Sequence, residues 1–243
     1  MHNIVDYWIS RKKLVDTKIN DVIECMDVER EIKEIMKYIA LGGKRLRGTL
    51  TLFFTEALGG NVEDGLDASV AIEFVHAASL VHDDIIDGDL IRRGKPTTWL
   101  RYGVSKAIIV PHILISKAQI MVEKYGMKAL GLTIRAWFKV SLGEYEDIVR
   151  GSYYDPNAYE RIAYLKTGAL FGVAAALGAI AANVSEDFIE QARIYGEKLG
   201  VAFQVADDIV DLHKFLRGKL DLRTSPSLNS FIAWILDGKP YGD

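Results

Sequence analysis

His82-Asp83-Asp84-Ile85-Ile86-Asp87-Gly88-Asp89-Leu90-Ile91-Arg92-Arg93-Gly94-Lys95-Pro96 sets four carboxylates within seven residues, ahead of paired arginines. The residues before it, from Leu66 to Ile86, read as one long apolar helix. On that helix Asp83 and Asp87 lie one turn apart on the same face, about 6 Å along the axis. Like charges so placed repel unless a cation sits between them. Oxygen ligands without sulfur suit Mg²⁺, which binds through one or two carboxylates plus substrate phosphates. Arg92 and Arg93 are then forks for phosphate oxygens. Taken alone, the cluster reads equally as a solvated acidic helix end followed by a basic loop.

A second cluster separates the two readings. Gln204-Val205-Ala206-Asp207-Asp208-Ile209-Val210-Asp211 repeats the Asp-Asp-x-x-Asp spacing at the end of another apolar helical segment. The repetition predicts two facing helices that hold several metal ions between them. In these motifs the chain resembles the trans-type polyprenyl diphosphate synthases, the family of farnesyl and geranylgeranyl diphosphate synthases, over roughly residues 40 to 211. The resemblance implies an all-α fold, an isoprenoid-synthase-like helical bundle around a central apolar cavity. One such domain is expected over residues 1–243, with a short divergent tail after about 212.

The implied activity is a prenyl transfer. An allylic diphosphate ionises, and its carbocation is joined to isopentenyl diphosphate. Asp83, Asp87 and Asp207 would ligate Mg²⁺, supported by Asp84, Asp208 and Asp211. The catalytic set is then Asp83, Asp84, Asp87, Lys166 and Asp207. Gly42-Gly43-Lys44-Arg45-Leu46-Arg47-Gly48 matches the segment that binds isopentenyl diphosphate. Lys44 and Arg47 are three apart and are expected on one face of a new helix, near its anion-attracting start. His76, within Glu73-Phe74-Val75-His76, and Arg93 join them by resemblance; a lone His on such a helix is otherwise an ordinary core or rim residue. Tyr164-Leu165-Lys166-Thr167-Gly168 matches a Lys-Thr motif expected at a helix break. Lys166 and Arg92 would hold the allylic diphosphate, with Thr167 and Gln204 donating hydrogen bonds.

Product length is read from the residues ahead of the first cluster. Family members with short products carry an aromatic near the position of Ala78, which floors the cavity. Ala78 and Ser79 are small, so the tunnel is expected to run deeper, to Phe74 or Val75. That implies a product of geranylgeranyl length or longer.

The chain also departs from the family. Pro111-His112 stands where Gly-Asp is usual, and Gly143-Glu144-Tyr145-Glu146-Asp147 where Gly-Gln and an Asp are usual. Glu144 adds negative charge near the cleft. Beyond Asp211 the match decays, and Lys214 and Lys219 stand in for the usual later lysines without matching their spacing. These departures keep a non-catalytic partner subunit as the rival reading. A class I terpene cyclase is disfavoured by the second Asp cluster. A His-Asp metal phosphohydrolase needs more His ligands than His2, His112 and His213 supply in context.

Composition narrows the remainder. The 243 residues carry a net charge of −3, which gives no case for nucleic acid. Hydrophobic residues make up 49% and charged residues 26%, as in a globular chain. One cysteine, Cys25, excludes an internal disulfide and favours a reducing compartment. Met1-His2-Asn3-Ile4 with Asp6 lacks the apolar core of a signal peptide, so a cytoplasmic location is expected. Thr167 to Val184 is nearly uncharged, yet rich in Ala and Gly, and is expected to be a buried helix with no membrane span. Trp99 to Arg150 is expected to be helical with an interruption near Pro111. A homodimer is implied by the resemblance alone.

Overall fold

Helix α1 (Ile4–Glu24) is capped by Asn3, whose side chain accepts from the Val5 N–H at 3.1 Å. It opens a computed structural model that describes residues 3–150, 158–219 and 226–236. The helices that follow are α2 (Arg30–Ala40), α3 (Leu46–Ala57), α4 (Val62–Ile86), α5 (Thr98–Tyr102), α6 (Val104–Glu123), α7 (Gly126–Arg150), α8 (Ala158–Ala163), α9 (Ala169–Ala181), α10 (Glu186–Leu216) and α11 (Pro226–Leu236). A π-helical turn, Tyr164–Gly168, joins α8 to α9. The only strands among the described residues are β1 (Ile91–Arg92) and β2 (Lys95–Pro96), an antiparallel ribbon. The expected all-α class holds.

The chain divides into two compact units. The first comprises Met1–Ile134 and Val173–Arg193. Its centre is α4, buried along most of its middle and packed chiefly on α6 and α3. Asn61 and Asp64 form a capping box that starts α4 a turn earlier than Leu66. The Ala and Gly of α9 answer to a close crossing. A Cβ on Gly178 would lie 2.3 Å from the Thr51 carbonyl oxygen of α3, and the Thr51 hydroxyl donates to the Ala174 carbonyl at 2.9 Å.

The second unit comprises Arg135–Gly172 and Ile194–Asp243. There Leu228 and Phe231 of α11 pack on Tyr159 and Ala163 of α8, with Val201, Val205, Leu212 and Phe215 of α10 against the same cluster. Helix α11 thus covers apolar surface of α8 and α10.

Three boundaries differ from expectation. Pro111 lies buried inside α6 without ending it. The breaks fall instead at Gly103 and Gly126, with φ of 87° and 89°, where only glycine turns without strain. Packing on α4 offsets the bond that Pro111 cannot donate. Lys166-Thr167 lies in the π-helical turn of a continuous helical run, not at a break. The second acidic cluster shares one helix with the segment after Ser185, since nothing from 186 to 216 forces a turn.

By length and composition, Val104–Glu123 and Ala158–Ala181 could each cross a bilayer; the apolar window of the second is 89% buried within the protein, as expected for a core helix. Met1-His2 and the tail residues 220–225 and 237–243 lie outside the described residues.

Candidate active site

In the first unit the acidic cluster ends α4. Asp87 caps the helix, its N–H donating to the Asp83 carbonyl at 2.8 Å. Asp83 is half-buried and Asp87 exposed, whereas Asp84 is buried. Arg92 Nε donates to Asp84 Oδ1 at 2.6 Å, and Nη2 to Asp89 at 2.9 Å. Burial raises the Asp84 carboxyl above its ordinary value, and Arg92 opposes that rise. The ribbon aims Arg92: φ is positive at Arg93 and Gly94, as a two-residue hairpin turn requires. Trp99 Nε1 pins the same loop, donating to the Asp84 and Asp89 carbonyls at 3.0 and 2.9 Å. Asp84 thus serves Arg92, while Asp83 and Asp87 end the helix.

The basic segment is arranged differently from its spacing. Helix α3 begins only at Leu46, with Arg45 left-handed at φ 55° as its cap. Lys44 therefore precedes the helix and shares no face with Arg47. Lys44 is exposed and Arg47 buried. Arg45, passed over in the motif, is the organising residue. Its guanidinium donates to Asp16 Oδ1 at 2.7 Å, the Ala40 carbonyl at 2.5 Å and Glu73 Oε2 at 3.3 Å. Glu73 Oε1 also accepts the Gly48 N–H at 2.8 Å. Its spacing to His76 suggested a metal motif; in the fold it ties α3 to α4. Arg93 Nη1 donates to the Gly42 carbonyl at 3.1 Å.

Four arginines act on His76. Burial first, then Arg47, Arg93, Arg45 and Arg92, push its imidazole well below the ordinary histidine value. A cavity of about 220 Å³ opens nearby, lined by Gly42, Gly43, Asp84, Arg92, Arg93 and Lys95 among others. Ala77, Leu80 and Val81 form its α4 wall, whereas Ala78, Phe74 and Val75 are fully buried off that wall. The Ser79 hydroxyl donates to the His76 carbonyl at 2.9 Å.

The His76 shift has a stability consequence. The folded protein holds the imidazole below its unfolded value, so it stays neutral where the unfolded chain takes up a proton. The neutral form's stabilisation is complete above about pH 6.5 and is lost as pH falls toward the folded value. Thermal melts from pH 7.5 to 5 are expected to decline more steeply for the wild type than for His76→Gln. Parallel curves would refute this.

In the second unit Lys166 projects from the π turn toward α7, pairing with Glu144 at 2.9 Å and Asp147 at 2.6 Å. The Thr167 hydroxyl donates to Gln204 Oε1 at 2.8 Å, and Gln204 Nε2 to Asp208 Oδ1 at 3.2 Å. The Tyr159 hydroxyl completes the chain, donating to Asp208 Oδ2 at 2.6 Å. Asp208 is buried, and that burial lifts its carboxyl to about 6. Asp207 is exposed, and Asp211 pairs with Lys214 at 2.6 Å. Lys219 is exposed. Tyr159 was not legible as a site residue, because nothing in its spacing distinguishes it; Asp147 stands where the family usually carries an Asp.

In each cluster, then, the middle aspartate is tied to protein donors. Among the described residues no three His, Cys, Asp or Glu side chains converge tightly enough to hold a metal by themselves. Mg²⁺ does not need such a cage, because substrate phosphates and water complete its octahedron. The all-oxygen pairs Asp83/Asp87 and Asp207/Asp211 fit that ion's preference.

A polyprenyl synthetase family model matches residues 29–216. The chain belongs to that family. Among similar members, a hexaprenyl pyrophosphate synthase of Saccharolobus solfataricus is 37% identical over 213 residues, covering 86% of this chain and 72% of that protein. The geranylgeranyl pyrophosphate synthetase structure from Pyrococcus horikoshii aligns with a TM-score of 0.77 at 36% identity, over 83% of this chain and 64% of that one. A polyprenyl synthase from Caulobacter crescentus, solved with calcium and isoprenyl diphosphate, aligns with a TM-score of 0.78 at 32% identity, over 85% of this chain and 65% of that one. The chain thus spans about two thirds of the length of those solved structures.

A phosphohydrolase reading would use His82-Asp83 but leave Arg92, Arg93 and the second acidic cluster unexplained. The His82 and His112 rings do meet, with centroids 5.6 Å apart, a contact that no spacing in the chain predicts. Two imidazoles are still too few for a phosphohydrolase metal site, and His2 lies outside the described residues.

Proposed function

We propose that this family member condenses an allylic diphosphate with isopentenyl diphosphate to make a polyprenyl diphosphate of geranylgeranyl length or longer. The observation that carries the reading is the cavity at the acidic end of α4, lined by Arg92, Arg93 and Lys95 together with Asp84. Highly charged substrates call for cations flanking carboxylates, and no residue here must be a nucleophile. Lys44, Arg47, His76 and Arg93 would hold isopentenyl diphosphate. Arg92 and Lys166 would hold the allylic diphosphate, with Thr167 and Gln204 turning their hydrogen bonds toward it. Asp84 and Asp208 act by orienting Arg92 and Gln204. Asp83, Asp87, Asp207 and Asp211 would hold Mg²⁺, which supplies Lewis-acid stabilisation of charge on the leaving diphosphate. The calcium of the Caulobacter relative supports a divalent cation with diphosphate. Apolar walls must keep water from the cation, and the released diphosphate takes the proton.

Incubation with Mg²⁺, isopentenyl diphosphate and each allylic primer, followed by product sizing, tests this directly. Failure to condense with any primer would favour the non-catalytic subunit.

Product length belongs to the same proposal, supported by relatives named for geranylgeranyl and hexaprenyl products. Ala78→Phe is expected to shorten the main product by one or more isoprene units. An unchanged product distribution would remove Ala78 from the tunnel.

A homodimer is proposed from apolar surface along α7. Met127, Ile134, Phe138, Tyr145 and Ile148 are 79%, 47%, 67%, 63% and 49% exposed, and their seven-, four- and three-residue spacings make one stripe. A second copy is the occupant this reading assigns to it, and light scattering that finds a monomer would refute it. A cytoplasmic location stays part of the proposal, consistent with the exposed free Cys25.

A further inference from the structure

Lys166 is held by two acids from successive turns of α7. Glu144 Oε2 lies 2.9 Å and Asp147 Oδ2 2.6 Å from its ammonium, and their side chains are only 14% and 10% exposed. Glu146, between them in sequence, turns instead to Arg161, 2.7 Å from Arg161 Nη2. The approach is built into the backbone. A Cβ on Gly143 would lie 2.9 Å from the Lys166 amide nitrogen, so α7 can meet the π turn here only without a side chain. On its other side, a Cβ on Gly200 would lie 2.8 Å from Gly168 Cα, which fixes the turn against α10.

The charges do not balance. Two carboxylates face one ammonium, and Asp147 Oδ1 is buried with no hydrogen-bond partner. Asp147 lines a small cavity of about 40 Å³ together with Lys166, Gln204 and Asp208. Asp147 is the closer and more buried partner, so Lys166 stays paired without Glu144.

We infer that Glu144 sets the affinity of the Lys166 subsite for diphosphate: it completes a Glu144–Lys166–Asp147 ion-pair triad that an incoming diphosphate must break. This rests on the prenyltransferase reading and adds a role that Lys166 alone does not imply. A carboxylate at this place both occupies the lysine and repels phosphate oxygens. Glutamine has the same shape and can still accept from Lys166, but it carries no charge.

The test is calorimetric titration of inorganic pyrophosphate with Mg²⁺ into the full chain. Removing one like charge within about 6 Å of the ligand is expected to tighten binding about tenfold in Glu144→Gln. Glu144→Asp, which keeps the charge, should stay near wild type. Lys166→Ala should weaken binding and, in the double variant, abolish the gain from Glu144→Gln. In turnover, Glu144→Gln should lower KM for the allylic diphosphate far more than it changes kcat. If its helical circular dichroism is lost, Glu144→Ser removes the same charge with the same expected tightening. Unchanged or weaker pyrophosphate binding in the charge-removing variant overturns the inference while leaving prenyl transfer intact. A gain that survives Lys166→Ala overturns it too, because the charge would then act elsewhere. A wild type that neither binds pyrophosphate nor condenses any primer overturns both.

Discussion

Replacing Asp83 with alanine is expected to lower turnover about a thousandfold or more while leaving the melting temperature nearly unchanged. Both halves of that expectation follow from where Asp83 sits. Its side chain is half-buried at the last turn of α4, outside the hydrophobic core. The hydrogen bond that closes the helix uses its backbone carbonyl, which alanine retains. What alanine removes is the carboxylate proposed to ligate Mg²⁺. A loss of several kcal/mol in charge stabilisation during diphosphate departure corresponds to about three or more powers of ten in rate. Asp84→Ala provides the contrast. Asp84 is buried, accepts from Arg92 and neighbours the Trp99 anchor, so its loss should lower melting temperature and activity together. Steady-state kinetics and thermal melts on the two variants separate a ligand from a positioning residue. Near-normal turnover in Asp83→Ala would remove the acidic helix end from the chemistry.

The acidic clusters were legible because their spacing is itself the signal: i, i+1 and i+4 on a helix fix which carboxylates share a face. Spacing does not report what the remaining one touches. That Asp84 turns to Arg92, and Asp208 to Tyr159 and Gln204, depends on side chains distant in sequence. The same limit hid Arg45. A motif match drew attention to Lys44 and Arg47, but the left-handed cap at Arg45 places those two on different structures, one in the loop and one in the helix. Helix type was easier to read than helix extent. Pro111 looked like a breaker by its chemistry, yet burial outweighed it. At Gly103 and Gly126 the backbone needed a conformation that only glycine adopts freely. Lys166 lay in a π turn because α7 and α10 both press on it at glycines, a tertiary cause that a local pattern cannot carry.

Glu73→Ala is expected to destabilise the first unit by about 3–5 kcal/mol, the loss that follows when one partner of a buried ion pair is removed. The Glu73 and Arg45 side chains are 3% and 2% exposed. Alanine would strip Arg45 of one acceptor and leave the Gly48 N–H without its 2.8 Å bond at the start of α3. Glu73→Gln keeps an acceptor for Gly48 but not the charge, and should lose about 1–3 kcal/mol. Urea unfolding with a constant m-value measures both variants. A loss below about 1 kcal/mol in Glu73→Ala would mean that Asp16 and the Ala40 carbonyl suffice for Arg45. The pair also bears on substrate binding, since α3 begins where Lys44 and Arg47 are set. Glu73→Gln should therefore raise KM for isopentenyl diphosphate more than KM for the allylic partner, because Lys166 belongs to the other unit and does not depend on how α3 starts.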